Sequence, residues 1–191
     1  MRINNINSNL NFGKQALMTC FVRSMDTNEK CSATLYKMNQ LNADDFYDVM
    51  NSKNTIAIKR AMETDFFKRR ETSDFYVLQN DKTQEIIGCA EKQNHYKPVD
   101  DVDSGMITVI NELSGNFNYL NPQEPIFIYL VKNAQDSFRN AITMATGDDI
   151  MRNLRGAKFT KNRANDLVLR GRAFDSYLQQ AEQRYNVEYI A

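Results

Sequence analysis

The sequence contains few residues of the types that usually carry out chemistry, and their spacing narrows the options. His95 is the single histidine, and Cys20, Cys31 and Cys89 are the three cysteines. Histidine titrates near neutral pH and often moves protons, but His95 has no partner nearby in sequence, which favours a surface or hydrogen-bonded histidine. Cys89 lies inside a β-prone run, which favours a buried thiol over a nucleophile. One histidine without a CxxC spacing does not predict a zinc site.

Residues 151–172 carry the clearest local charge imbalance. Seven basic residues face one acidic residue there, Asp166; the basic residues are Arg152, Arg155, Lys158, Lys161, Arg163, Arg170 and Arg172. Such a segment could meet a phosphate-bearing ligand, an acidic protein surface or nucleic acid, although a solvated face is the simpler interpretation. Aromatic residues do not interleave with these charges, so base stacking is not predicted and nucleic acid is the less favoured partner.

Composition predicts one folded domain. The chain has 191 residues, of which 42% are hydrophobic and 25% charged, and this length and balance suit a single globular unit. We divide it into an Asn-rich tail over 1–16 and a domain over 17–191. The 24 basic and 24 acidic residues cancel, which gives no global attraction to nucleic acid and permits self-association into a homo-oligomer.

Location is predicted from what the sequence lacks. It has no apolar run of about 18 residues that would span a membrane, and its first residues contain no apolar signal-peptide centre. An odd number of cysteines without such a signal argues for reduced thiols. We therefore expect a cytoplasmic protein without membrane partners.

Periodicity predicts the elements. Residues 18–38 are predicted to form a hairpin, and two short helices are expected from the N-cap Asn42 to Met50 and over 54–68. A second hairpin is expected over 74–92, where two β-rich runs flank a five-residue polar turn. A further strand fits Met106 to Leu113.

The segment 122–139 has two interpretations. Ile126 to Val131 alone would suit a buried strand, but the helical spacing of apolar residues up to Phe138, with Pro125 in the first turn, favours a helix. After it we expect a strand over 141–146. Two more helices are predicted, a short one over 148–154 and a last one over about 172–185.

These elements carry a resemblance. Asp74-Phe-Tyr-Val-Leu-Gln and Ile86-Ile-Gly-Cys-Ala resemble the second and third strands of the GNAT superfamily of N-acyltransferases, and Met106 to Leu113 is similar to its fourth strand. The helix from Pro125 would be the one that starts at the cofactor's pyrophosphate. Asp149 to Phe159 is similar to the family's late helix and its ending. The resemblance implies an α+β, GNAT-like mixed sheet flanked by helices.

The resemblance also implies acetyl-CoA as cofactor and an amine on a small molecule or protein as acceptor. The family motif Q/R-x-x-G-x-G/A is degenerate here: the matching stretch is Asn121-Pro-Gln-Glu-Pro, which has no glycine and two residues without an N–H. Glu124 adds negative charge at the same place. Cofactor contacts are therefore expected from residues at the end of the fourth strand and the start of the helix, namely Leu113, Ser114, Gly115, Asn116 and Gln123.

Catalytic roles follow from the same resemblance. Glu112, at the end of the fourth strand, is the expected general base for the amine, with an exposed strand-end carboxylate as the alternative. Tyr119 is the expected phenol for the leaving thiolate, and Tyr129 is a weaker candidate because it lies on the buried stripe of its helix. For both tyrosines a core or rim aromatic is the simpler interpretation.

Three hypotheses for function stand together. The first is an acyl-CoA-dependent N-acyltransferase. The second is a GNAT-shaped binding or assembly module that has lost CoA binding, which the missing glycines and the absence of a tyrosine in residues 149–155 favour. The third is an adaptor that uses residues 152–172 against an acidic partner.

Overall fold

The computed structural model describes residues 14–38, 73–97, 105–144, 154–162 and 165–190. Within these ranges the side chains of residues 94–97 and of Glu112 lie outside the description. The helices predicted from Asn42 and over 54–68 fall outside the described residues, as does the helix predicted over 148–154 except for its last residue.

The described part of the chain contains one nine-stranded sheet. In spatial order its strands are β7 (Thr160–Lys161), β8 (Leu167–Arg170), β6 (Ala141–Met144), β5 (Gly105–Gly115), β4 (Ile86–Lys97), β3 (Asp74–Asn80), β2 (Lys30–Met38), β1 (Lys14–Arg23) and β9 (Glu188–Tyr189). Neighbouring strands are antiparallel except for β5 and β6, which are parallel. A mixed sheet with packed helices confirms the predicted α+β class.

Both predicted hairpins are present. β1 and β2 pair antiparallel from Lys14↔Met38 to Arg23↔Lys30, so the first strand begins inside the range predicted as a tail. β3 and β4 pair through the turn after Asn80, whose side-chain oxygen accepts hydrogen bonds from the N–H groups of Lys82 and Thr83. A side chain that bonds its own turn explains why this polar segment reverses the chain.

The segment after β5 is a helix, as predicted, and not a strand. α1 (Glu124–Asp136) starts with Pro125 in its first turn, where a missing N–H is tolerated. The predicted stripe is wrong at its end, because Phe138 is 89% exposed. Phe138 has a positive φ of 54° and donates its N–H to the Gln135 carbonyl oxygen, so it terminates the helix instead of continuing it.

The C-terminal helix is also as predicted. A 3₁₀ turn over Gly171–Ala173 leads into α2 (Phe174–Tyr185), and Asn186 ends it in the left-handed conformation at φ 46°. All of the residues predicted for its apolar stripe are buried: Phe174, Tyr177, Leu178, Ala181 and Tyr185. The stripe packs on α1, where the rings of Phe127 and Tyr177 pack edge to face with their centroids 5.4 Å apart.

Three strands escaped prediction. β7 and β9 have two residues each, which is too short for an alternating pattern, and the four residues of β8, Leu-Val-Leu-Arg, do not alternate. In β8 the first three residues are all buried, since this strand lies inside the sheet and is covered on both faces. The described residues contain no helix that is both long and apolar enough to cross a membrane.

The three cysteines are not paired with one another, and their reduced state stays a prediction. Cys20 and Cys89 are buried and Cys31 is partly buried. The buried thiol predicted for Cys89 is therefore confirmed. Burial, with a smaller contribution from the Asp81 charge, raises the pKa of Cys20 to about 12.

Candidate active site

The site is built around an irregularity in β5. Among the described residues, which stop at Met144 and resume at Leu154, β5 pairs with β6 from Ile107 to Ile110, and β5 itself continues to Gly115. On its other side the register against β4 shifts: Glu112 is opposite Glu91, while Ile110 is opposite Lys92. One residue of β5, Asn111, therefore has no counterpart in β4, which defines a β-bulge directly after the last described β5–β6 pair, Ile110 with Met144.

Burial confirms the extra residue. Ile110 and Leu113 are three positions apart, yet both belong to the core cluster that includes α1. In a regular strand, residues three apart point to opposite faces of the sheet. A bulge bends its strand and increases the local twist. β5 residues 111–115 have no strand partner on the β6 side among the described residues.

A buried carboxylate holds the bulge. Glu91 on β4 is 3% exposed, and its Oε1 accepts hydrogen bonds from Ser73 Oγ at 2.8 Å and Asn111 Nδ2 at 3.0 Å. Gln93 Nε2 donates to the same Ser73 oxygen at 2.8 Å. A carboxylate is buried in a protein only where donors compensate for its lost hydration. The side chain of Glu91 thus ties β4 to the extra residue of β5.

The sequence predictions did not include Glu91, Ser73 or Asn111. The partners of Glu91 lie 18 and 20 residues away in sequence, and the bulge that joins them depends on the β4–β5 register. One signal was present: Glu91 directly follows Cys89 and Ala90, both buried. A charged residue that continues a buried strand run is a candidate for a paired or functional group.

The predicted residues Glu112 and Ser114 lie on this same strand end. Glu112 is the register partner of Glu91, which places its backbone at the bulge. Leu113 is buried in the core, and Ser114 is partly buried opposite Cys89. Together with Gly115, four of the predicted site residues are therefore consecutive at the end of β5.

The start of α1 packs closely on the end of β5. A Cβ added to Gly115 would lie 2.4 Å from Pro122 Cγ and 2.9 Å from Gln123 Cδ, so glycine alone permits this approach. Gln123 is 8% exposed, and its Oε1 accepts no hydrogen bond from the part of the chain that the structure describes. Gly115 and Gln123, both predicted as cofactor contacts, are thus adjacent, with the glutamine side chain lying over the glycine.

The loop between β5 and α1 has few amides left for an anion. Of the ten residues 116–125, seven have an N–H that is already donated or have none: Asn116, Asn118, Tyr119, Leu120 and Glu124 donate within the protein, and Pro122 and Pro125 lack the group. A helix start binds phosphate through unused N–H groups. This loop therefore offers much less than a glycine-rich one.

Glu124 is turned away from solvent at the first residue of α1. It is fully buried; its Oε1 lies 2.5 Å from Arg184 Nη2, and its Oε2 accepts a 2.7 Å hydrogen bond from the Tyr185 hydroxyl. Burial and the nearby carboxylate raise the pKa of Tyr185. The negative charge noted in the sequence is thus neutralised by α2 and holds the two helices together.

Tyr119 lies in a hydrogen-bond network that anchors the loop. Its hydroxyl donates to Glu85 Oε2 at 2.7 Å and accepts from Asn80 Nδ2 at 3.2 Å. Asn116 Nδ2 donates to the other oxygen of Glu85 at 2.9 Å. Burial, followed by the hydrogen bond to Glu85, raises the pKa of Tyr119 to about 12. This phenol keeps its proton at neutral pH and connects the loop to the β3–β4 turn.

The remaining candidates lie elsewhere. Tyr129 is partly buried on α1, where its ring packs 5.6 Å from that of Tyr76 and burial raises its pKa. Tyr76 belongs to β3, two strands away from the bulge. The backbone of His95 is in β4 opposite Ile107, and its side chain is outside the described residues. The described residues contain no cluster of His, Cys, Asp and Glu that could hold a metal ion.

The basic segment is divided between the two ends of α1. The carbonyl oxygen of Arg155 accepts from Arg184, which also binds Glu124 at the start of α1. The N–H of Gly171, between Arg170 and Arg172, donates to the Asn140 carbonyl, just past the end of α1. The 13 residues of α1 span roughly 20 Å. These described cations therefore do not form one patch.

Comparison with known proteins gives a fold and no sequence relative. Neither a protein-family model nor a curated protein sequence matches the chain. Among solved structures, it is similar to a mutant of the AtaT toxin bound to the C-terminus of the antitoxin AtaR, with a TM-score of 0.59 and 10% identity over 78% of this chain and 98% of that one.

Two further structures broaden the comparison. FeeM, an N-acyl amino acid synthase from uncultured soil microbes, matches with a TM-score of 0.53 and 12% identity over 79% of this chain and 97% of its own. The NatC complex bound to Gag peptide and CoA matches with a TM-score of 0.51 and 12% identity over 72% and 98%. These neighbours are GNAT acyltransferases, so the chain has the GNAT fold and the predicted fold is confirmed.

Proposed function

We propose that the chain is an acyl-CoA-dependent N-acyltransferase whose acyl thioester binds beside residues 111–115 of β5. The bulge at Asn111 carries the proposal. It bends β5 directly after Ile110, the last residue with a described partner in β6, and we infer that residues 111–115 of β5 accept an extended ligand along the strand edge. A pantetheine arm is such a ligand, because its amide groups can pair with a main chain.

The reaction would be a direct transfer. The acceptor amine attacks the thioester carbonyl carbon, a C–N bond forms, the C–S bond breaks, and the thiolate leaves. Main-chain N–H groups at the bulge would stabilise the negative charge on the carbonyl oxygen. The amine must lose a proton, and Glu112 is the proposed base, directly or through a water. The expelled thiolate takes up a proton, and Tyr119 is its proposed donor.

Glu91 is proposed as a positioning residue. Its carboxylate binds Asn111, the extra residue of the bulge, at 3.0 Å and lies on β4 directly opposite Glu112. It would therefore fix the bulge and the place from which Glu112 acts. We assign Leu113, Ser114 and Gly115 to the pantetheine and acyl group of acetyl-CoA, with Asn116 and Gln123 at the end nearer the phosphates.

A non-catalytic binding module is the second candidate, and the loop before α1 favours it. Its amides are largely used, its prolines donate nothing, and Pro122 and Gln123 cover Gly115. A GNAT-shaped domain with this loop could have lost its cofactor and kept its shape for binding another protein.

Acetyl-CoA binding separates the two candidates. A ligand at about 100 times its dissociation constant adds roughly 2.7 kcal/mol to stability, which thermal unfolding detects readily. For the enzyme we expect such a rise with acetyl-CoA and thioester cleavage with an amine panel. Glu112→Gln should slow turnover by about 100-fold or more with unchanged binding. An unshifted unfolding temperature across millimolar acetyl-CoA would leave the binding module.

A further inference from the structure

A cavity of about 280 Å³ opens at the end of the β1–β2 hairpin, between the start of α1 and the end of α2. No residue of β5 or β6 lines it, so it is separate from the strand edge proposed for the thioester. Its volume is close to the lower limit of about 300 Å³ for ligand pockets, which suits a small molecule or one end of a larger one. Four basic residues line it: Arg23, Lys30, Arg155 and Arg184.

Most of this positive charge has no carboxylate partner. Of the described residues in the lining, Glu124 alone is acidic, and Arg184 is bound to it. Arg23 donates through Nη1 to the carbonyl and side-chain oxygens of Asn28, which are neutral acceptors. Among the described residues, Lys30 and Arg155 have no ion pair at all. Three positive charges therefore surround one opening.

The placement of two of these charges works against folding. Arg23 and Lys30 are directly opposite each other in the β1–β2 ladder. Like charges at directly opposed positions of an antiparallel pair destabilise it, because their side chains are neighbours on one face. A bound anion between them would reverse the sign of that interaction.

The cavity also has an apolar wall. Phe21 is 42% exposed and Leu120 is 40% exposed, and both line it beside the cations. An aromatic or aliphatic surface next to arginine side chains suits a ligand that joins a flat apolar part to a phosphate, since arginine binds phosphate oxygens in pairs. We propose that this cavity binds the phosphorylated end of a nucleotide.

The nucleotide could be free or could be the adenosine phosphate end of a coenzyme, and the chemistry of recognition is the same. The proposal stands whether or not the chain transfers an acyl group. It identifies a phosphate site made of side chains on the β1–β2 side of α1. The main-chain amides of the loop between β5 and α1 are mostly hydrogen-bonded within the protein, so side chains would have to bind the phosphate.

Calorimetric titration of the full chain with adenosine 3′,5′-bisphosphate tests the proposal, with adenosine as the phosphate-free comparison. The double substitution Lys30→Gln with Arg155→Gln removes two charges from exposed side chains, and Lys82→Gln with Lys158→Gln removes two exposed charges outside the lining. We expect the first pair to weaken bisphosphate binding by about tenfold or more, since charge-assisted hydrogen bonds are lost, and the second pair to leave it within about twofold.

The outcomes are distinct. Equal affinities for both double variants, equal affinity for adenosine and the bisphosphate, or no bisphosphate binding would each overturn the proposal. If the expected pattern is found, competition by CoA identifies a coenzyme as the source of the phosphate, and absence of competition identifies a free nucleotide. Acyl transfer from phosphate-free acetyl-S-pantetheine is followed in parallel, so that failure of the enzyme proposal is seen separately.

Discussion

Glu91 and Glu112 are directly opposite each other on β4 and β5, next to the bulge at Asn111. Carboxylates facing each other across a ladder repel unless donors compensate for at least one of them. Glu91 receives those donors from Ser73 and Asn111. Glu91 is therefore the buried carboxylate that is held in place, and Glu112 is its neighbour at the proposed reaction site.

Glu91→Ala should lower the free energy of unfolding by about 1–3 kcal/mol, because Ser73 Oγ and Asn111 Nδ2 would lose a buried acceptor. Glu91→Gln should lose less, since one amide oxygen can still accept from both groups. Urea unfolding measures both. If the chain is an enzyme, kcat should follow the same order, with KM little changed. Equal stability and kcat for the alanine and glutamine variants would remove Glu91 from its positioning role.

Tyr119→Phe should destabilise the chain by about 1–2 kcal/mol, because Glu85 and Asn80 lose their shared partner in a buried network. A matched control is Tyr36→Phe, which removes a hydroxyl from a partly buried ring on β2. Urea unfolding compares the two. If turnover of Tyr119→Phe also falls, a stabilising osmolyte can restore its stability. A turnover rate that stays low after stability is restored would support Tyr119 as the proton donor. Parallel recovery would show that the phenol only anchors the loop.

The sequence predicted the fold well where one element is long enough to show its period. β3, β4, β5 and α2 were located from alternation or helical spacing, and α1 was recognised because Pro125 begins a helical pattern. The end of α1 was missed because Phe138 fits the period in sequence, whereas the chain adopts a positive φ there and exposes the ring. A terminating conformation at a non-glycine residue leaves little trace in the sequence.

The site was predicted only in part, and the missing part depends on register. Residues at the end of β5 follow from locating the strand. The partnership of Glu91 with Asn111 follows from a bulge, and a one-residue irregularity in pairing is invisible to a periodic pattern. The cationic cavity brings together Arg23 and Arg184, which are 161 positions apart, so no local motif could indicate it.

Stability should fall at alkaline pH partly through Cys20. Its pKa is raised from 9.0 to about 12 by burial, so the folded state keeps the thiol proton that the unfolded state releases. The stabilisation is complete below pH 9.0 and is lost as the pH rises toward 12. Between pH 8 and 10.5 the wild-type chain should lose about 2 kcal/mol more than Cys20→Ala in urea unfolding under reducing conditions. Equal losses in the two proteins would show that this thiol does not titrate differently on folding.

Because Glu124 and Arg184 form an ion pair, removing the charge of Arg184 alone should destabilise the chain more than removing both charges. Arg184→Met would leave a fully buried carboxylate with Tyr185 as its remaining side-chain donor, and breaking a buried ion pair in this way costs about 3–5 kcal/mol. Adding Glu124→Gln to Arg184→Met removes the stranded charge and should restore at least about half of the loss.

Arg172→Met is the matched control, since Arg172 is exposed and lies away from the start of α1. The wild type, Glu124→Gln, Arg184→Met and the double variant form a double-mutant cycle. Chemical unfolding of these proteins should give a coupling energy above about 1 kcal/mol. A coupling near zero would mean that α1 and α2 are held by their apolar contact, such as Phe127 against Tyr177, and that the charge pair contributes little.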